Sequence, residues 1–140
     1  PVSHFIELCR RIRAEQPHAH FLIFGGSLER ERTRALHAAL PECSTHYAGS
    51  LTLRQTAALM NEVDLYVGVD TGPTHMAWGL NVPSITIFGP TPTNRVYVTP
   101  INRVVKSSSV VNHYKLNKND FSICEIEADE IIKIAKELIN

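Results

Sequence analysis

The sequence predicts an α/β domain with a doubly wound parallel sheet, and three observations predict it. Strand-like and helix-like patterns alternate four or five times along 140 residues. Phe21-Leu22-Ile23-Phe24 is a continuous apolar run closed by Gly25-Gly26, the pattern of a strand buried on both faces. Length and a hydrophobic content of 44% suit one domain, residues 1–140, with a sizeable core.

Each element comes from its local pattern. Phe5, Leu8, Cys9 and Ile12 recur at helical spacing until Pro17. The run Phe21–Phe24 is the first strand. Residues 28–40 are helical again, charged on one side, and Pro41 ends them. A short strand is expected at 45–47, closed by Gly49. Thr52 and Gln55 match a capping box, so a helix runs from about Leu53 to Asn61. Residues 65–69 form a strand, and Pro73 suits the first turn of a short helix reaching about Leu80. Residues 84–88 are another strand, 89–100 a loop rich in Pro and Thr, and Val104-Val105 a last short strand. Residues 107–121 show little periodicity. Ile131, Ile132, Ala135, Leu138 and Ile139 then make an amphipathic closing helix.

Composition narrows function. Lys plus Arg equals Asp plus Glu, 14 each, which argues against a nucleic-acid binder working through a basic face. No apolar run approaches the roughly 20 residues of a membrane span. Pro1-Val2-Ser3-His4 does not resemble a signal peptide, and a start at proline suggests a fragment or processed product. Cys9, Cys43 and Cys124 form no CxxC pair, so no zinc site or disulfide framework is expected, and a reducing cytoplasm is the simpler setting. Cys9 and Cys43 read as small buried hydrophobes.

Doubly wound sheets bind ligands beyond the carboxyl ends of their strands. The loop after Val69 is the most informative. There a strand runs into Asp70-Thr71-Gly72-Pro73 and a helix starts at once. The first amides of a helix lack internal partners and the dipole is positive there, so a phosphate or pyrophosphate fits. Gly72 permits close approach, and Pro73 has no N–H to give. The expected donors are the amides of Gly72, Thr74 and His75 with the hydroxyls of Thr71 and Thr74. The His75 imidazole leans back toward the helix start, where it can meet the anion. A carboxylate repels phosphate, so Asp70 is assigned to sugar hydroxyls. The plainer reading is that Asp70 or Thr71 only caps the helix and His75 is a surface histidine.

The next loop, Gly89-Pro90-Thr91-Pro92-Thr93-Asn94-Arg95, leaves the same edge and offers further polar groups; its plainer reading is a proline-stiffened connection. Gly25-Gly26-Ser27 lacks the G-x-G-x-x-G spacing of a dinucleotide fingerprint and reads more simply as a tight turn. Glu29 is a favourable N-terminal carboxylate that could also accept from a ribose, and Leu51 could offer a base an apolar surface. Trp78, one turn beyond His75, reads as partly buried core. The remaining histidines show no ligand spacing.

These residues resemble a known family. The stretch from Asp64 through Asp70-Thr71-Gly72-Pro73-Thr74-His75 to Ala77 resembles the central motif of the ADP-heptose:lipopolysaccharide heptosyltransferases. Asn81–Thr91 resembles the segment directly after that motif in the same enzymes. Phe24-Gly25-Gly26, Gly49–Leu53 and Cys124 fit as well. The resemblance implies the C-terminal, Rossmann-like, donor-binding half of a GT-B glycosyltransferase that inverts at the anomeric carbon, with no metal and no cofactor. It implies that Asp70 contacts the heptose and that Thr71, Gly72 and His75 hold the pyrophosphate. Glu29 would meet sugar hydroxyls, and Leu51 would lie near the adenine. Pro73, Thr74, Gly89 and Thr91 complete the expected donor site.

The departures from the family are the acceptor domain with its acidic base, the first strand of the donor domain with its Thr and Lys, and Trp78 where a small residue is usual. This chain alone is therefore expected to be inactive. The implied partners are ADP-heptose and, through the other domain, a lipopolysaccharide core acceptor. The implied location is cytoplasmic, with peripheral attachment at the inner membrane as a variant. The alternatives are a GT-B transferase for another nucleotide sugar and a non-catalytic nucleotide-binding module.

Overall fold

The computed structural model describes residues 1–94 and 96–139. It divides into two compact units, Pro1–Ala58 and Leu59–Asn140.

In the first unit, α1 (Val2–Glu15) leads to β1 (Phe21–Ile23), and a 3-10 turn over Ser27–Glu29 opens α2 (Arg30–Ala38). β2 (Ser44–His46) comes next and pairs with β1 in parallel, Phe21 opposite Ser44 and Ile23 opposite His46. α3 (Leu53–Met60) begins with the expected capping box: Gln55 N–H donates to Thr52 Oγ1 at 3.2 Å, and Thr52 N–H donates to Gln55 Oε1 at 2.9 Å. Cys9, Leu40 and Cys43 form a buried cluster that Phe21, Leu36 and Ala39 cover. Burial, with Cys43 alongside, pushes the Cys9 thiol up to about 12, so it is a packing group and not a nucleophile.

The structure corrects the reading of β1. Phe21 and Leu22 are only half-buried, and Ile23 alone is buried. The physical reason is its place in the sheet: among the described residues β1 pairs with β2 alone, so it is an edge strand. Continuous burial belongs instead to β4.

In the second unit, β3 (Tyr66–Val69), α4 (Gly72–Gly79), β4 (Ser84–Phe88), β5 (Asn102–Lys106) and α5 (Ala128–Ile139) succeed one another, with a 3-10 turn over Ser122–Glu125. The parallel sheet has the order β3-β4-β5. β4 is central, and all five of its residues are buried. Val69 pairs with Ile87 and Phe88 with Lys106, so all three strands release their chains at one carboxyl edge. α5 starts three residues earlier than its apolar pattern suggests, with Asp129 and Glu130 in the first turn, where the dipole favours them. It buries Ala128, Ile131, Ile132 and Ala135.

Candidate functional site

The turn after β3 is built from inside the strand. Tyr66 and Gly68 share a strand face because side chains alternate. The Tyr66 ring lies over Gly68, and a Cβ there would stand 2.7 Å from the phenol carbon Cζ. Burial raises the Tyr66 hydroxyl above its ordinary range, with hydrogen bonding to Thr74 and Thr71 acting against that. This hydroxyl lies 3.3 Å from Thr74 Oγ1. Thr74 is fully buried, and its own hydroxyl donates to the Val69 carbonyl. Tyr66, Thr74 and Val69 thus clamp the end of β3 to the first turn of α4.

That clamp removes some of the expected ligand donors. The Thr74 hydroxyl closes the turn instead of facing a ligand. The amides of Thr74 and His75 both donate to the Thr71 carbonyl, at 3.1 and 3.3 Å. Pro73 stands in the first turn without an N–H. The Gly72 amide is the group the turn still presents; the exposed Thr71 hydroxyl reaches a ligand only by leaving the Val69 carbonyl. Thr71 occupies the N-cap position, yet its side chain makes no cap bond and donates to Val69 O at 3.3 Å. Simple capping is therefore not the role of this residue. Around Gly72 the space is open: a Cβ would meet nothing within 4 Å.

His75 and Asp70 meet directly. His75 Nε2 lies 2.9 Å from Asp70 Oδ1, with the two side chains 54% and 40% exposed. Charge logic separates them, one for phosphate and one for sugar; the structure joins them across the mouth of α4. With Asp70 accepting from Nε2–H, the ring's Nδ1 donates to an anion only as imidazolium. The His75 ring also lies 4.6 Å from the Trp78 ring, tilted by 60°. Trp78 itself is buried, 7% exposed.

The other expected residues of this unit lie on the neighbouring strand end. Gly89 is buried against the 3-10 turn, where a Cβ would stand 3.0 Å from Ile123 Cβ, so packing already accounts for a glycine. Thr91 is half-buried in the loop beyond it. Arg95 lies outside the described residues.

The family model for glycosyltransferase family 9 (heptosyltransferase) matches residues 1–125. The chain belongs to this heptosyltransferase family. It is 36% identical over 99% of its length to lipopolysaccharide heptosyltransferase 1 of Campylobacter coli, covering 42% of that protein. It is 34% identical over 65% of its length to lipopolysaccharide heptosyltransferase 1 of Pseudomonas aeruginosa, covering 25% of that protein. Among solved structures, 99% of it superposes on 41% of Escherichia coli ADP-heptose lipopolysaccharide heptosyltransferase II, with a TM-score of 0.81 and 22% identity. It also matches the Escherichia coli heptosyltransferase WaaC solved with ADP-2-deoxy-2-fluoro heptose, with a TM-score of 0.72. The fold is thus shared with the GT-B heptosyltransferases. The chain spans about two fifths of the length of the Campylobacter coli relative and of heptosyltransferase II.

Glu29 and Leu51 belong to the first unit of this heptosyltransferase-family chain. Glu29 Oε2 accepts from Gly26 N–H at 2.8 Å, so this carboxylate closes its own helix start. Leu51 is half-buried after a turn in which Gly49, at φ 70°, donates to Gly25 O at 3.0 Å. Among the described residues no cluster of three or more His, Cys, Asp or Glu could hold a metal ion.

Sequence reasoning missed Tyr66 and the groups after β5. Ser107 is buried and Ser122 Oγ lies 2.8 Å from its hydroxyl. Ser109 donates to Asp120, whose carboxyl is held below the usual range by bonds from Ser109 and Ser122. The signal for Tyr66 was present, a glycine two residues beyond an aromatic on one strand face. The three serines 107–109 directly after β5 were the signal for the second group.

Proposed function

We propose that this chain is the donor-binding part of a heptosyltransferase, within an enzyme that moves heptose from ADP-heptose to a lipopolysaccharide inner-core acceptor with inversion. Family membership and the names of its relatives support the reaction class. The observation that carries the reading is the open helix start at Gly72, uncapped by any side chain and flanked by the Asp70–His75 pair.

In this reading the donor pyrophosphate sits against the Gly72 amide and the Thr71 hydroxyl, with His75 beside it. As an acceptor hydroxyl attacks the anomeric carbon, the bond to the β-phosphate oxygen breaks and negative charge grows on the departing ADP. Preorganised donors and a positive helix end stabilise that charge without reorganisation. Asp70 accepts from heptose hydroxyls and aligns His75. The base that takes the acceptor proton is assigned to an acceptor domain outside this chain, so this chain alone does not turn over. Glu29 is assigned to sugar hydroxyls and Leu51 to the adenine. The reaction is assigned to the cytoplasm, at the inner face of the membrane.

Calorimetric titration of ADP into the native polypeptide that contains this chain tests the site. A charge-assisted hydrogen bond is worth about 1.5–3 kcal/mol, so His75→Ala weakens ADP about 10- to 100-fold. Asp70→Ala weakens ADP-heptose more than ADP. Unchanged affinity in both variants would overturn the site, and a preference for UDP over ADP would overturn the donor.

A further inference from the structure

We propose that Trp78 is a positioning residue for this donor site: it fixes the plane of the His75 imidazole against Asp70 at the mouth of α4. The inference rests on the reading of the Asp70–His75 turn as the pyrophosphate site and adds a residue to it.

His75 and Trp78 are three residues apart on α4, so they lie on one helix face. Helical side chains lean toward the N-terminus, which carries the indole of Trp78 toward the ring of His75. The ring centres are 4.6 Å apart and the planes are inclined at 60°, within the tilted geometries that aromatic pairs favour. The two partners differ in freedom. Trp78 is 7% exposed and locked in the core, whereas the His75 side chain is 54% exposed. A half-exposed histidine would ordinarily sample several rotamers. Here Asp70 holds Nε2 at 2.9 Å and the buried indole packs against the ring at 4.6 Å between centres, so both side-chain torsions are restrained before any ligand arrives. The Nδ1 edge is then presented in one direction. The ordering cost of one side chain is removed from ligand binding, which is preorganisation.

The test is a double-mutant cycle on ADP affinity in the native polypeptide, using Trp78→Phe, Trp78→Leu, His75→Ala and Trp78→Leu with His75→Ala. Leucine fills the core without a ring, and phenylalanine restores a ring. Trp78→Leu is expected to weaken ADP about three- to tenfold, the scale of immobilising one side chain. Trp78→Phe should stay within about twofold of wild type, and Trp78→Leu should add nothing once His75 is alanine. Folding of each variant is checked by circular dichroism. Full affinity in a folded Trp78→Leu, or an equal loss with and without His75, would overturn the role of Trp78 while leaving the site standing. Unchanged affinity in His75→Ala would remove the site itself and this inference with it.

Discussion

Two strand-to-helix turns in this chain begin alike and end differently. After β1 the chain passes through Gly25-Gly26-Ser27, and after β3 through Asp70-Thr71-Gly72-Pro73. Each places a glycine where a helix start could hold an anion. In the first, the Glu29 carboxylate comes back to Gly26 N–H at 2.8 Å, and a Cβ on Gly26 would stand 2.9 Å from that same oxygen. The chain's own carboxylate occupies the place an anion would take. In the second, no side chain caps the helix, and the space at Gly72 is open. A glycine beside a helix start is therefore not enough to make an anion site. The deciding factor is whether a local carboxylate reaches it first.

That contrast can be broken in graded ways. The largest effect on stability is expected at Gly68→Ala. The new Cβ would collide with the Tyr66 ring that supports the second turn, at a cost of about 1–3 kcal/mol in chemical denaturation. Thr74→Val keeps the shape but removes the hydroxyl that bonds the Val69 carbonyl. It should cost about 1–2 kcal/mol and raise hydrogen exchange in the first turn of α4. Glu29→Ala uncaps the first turn, costs about 1 kcal/mol and exposes the Gly26 amide to exchange. Gly72→Ala should change stability by less than about 0.5 kcal/mol, since nothing lies within 4 Å, yet still weaken ADP binding.

The smallest effect is a pH dependence at the first turn. His46 Nε2 lies 2.8 Å from Thr33 Oγ1, and that hydroxyl bonds the Glu29 carbonyl. Desolvation lowers the His46 pKa, with His37, Arg34 and Arg30 adding to it. The folded chain thus binds this proton less readily than the unfolded chain. The stabilising contribution is complete above the ordinary histidine value of 6.5 and is lost as pH falls from there through the folded value. Amide protection in α2, taken relative to intrinsic exchange at each pH, should therefore fall on acidification below 6.5, and His46→Gln should flatten that response.

The elements are legible in the sequence because their patterns are local. Strand β4 emerges at its expected bounds, Ser84–Phe88, and the Thr52–Gln55 box forms as the spacing predicts. The burial of β1 is not legible, because an apolar run does not reveal how many neighbours a strand has. The turn at Asp70 is legible because strand, glycine, proline and helix come one after another. The internal bonds of Thr74 are not, since a threonine hydroxyl near a helix start can face either a ligand or the backbone. The pairing of Asp70 with His75 depends on rotamers, and charge logic alone assigns the two residues to separate partners.

The most direct test of the central claim compares the two turns within one sample. The native polypeptide, labelled with 15N at glycine, is titrated with inorganic pyrophosphate and its amide resonances are monitored. The Gly72 amide is predicted to shift in a saturable way while Gly26, already held by Glu29, keeps its position. A Gly72 resonance that stays in place at saturating pyrophosphate, or a saturable shift at Gly26 alone, would contradict the claim.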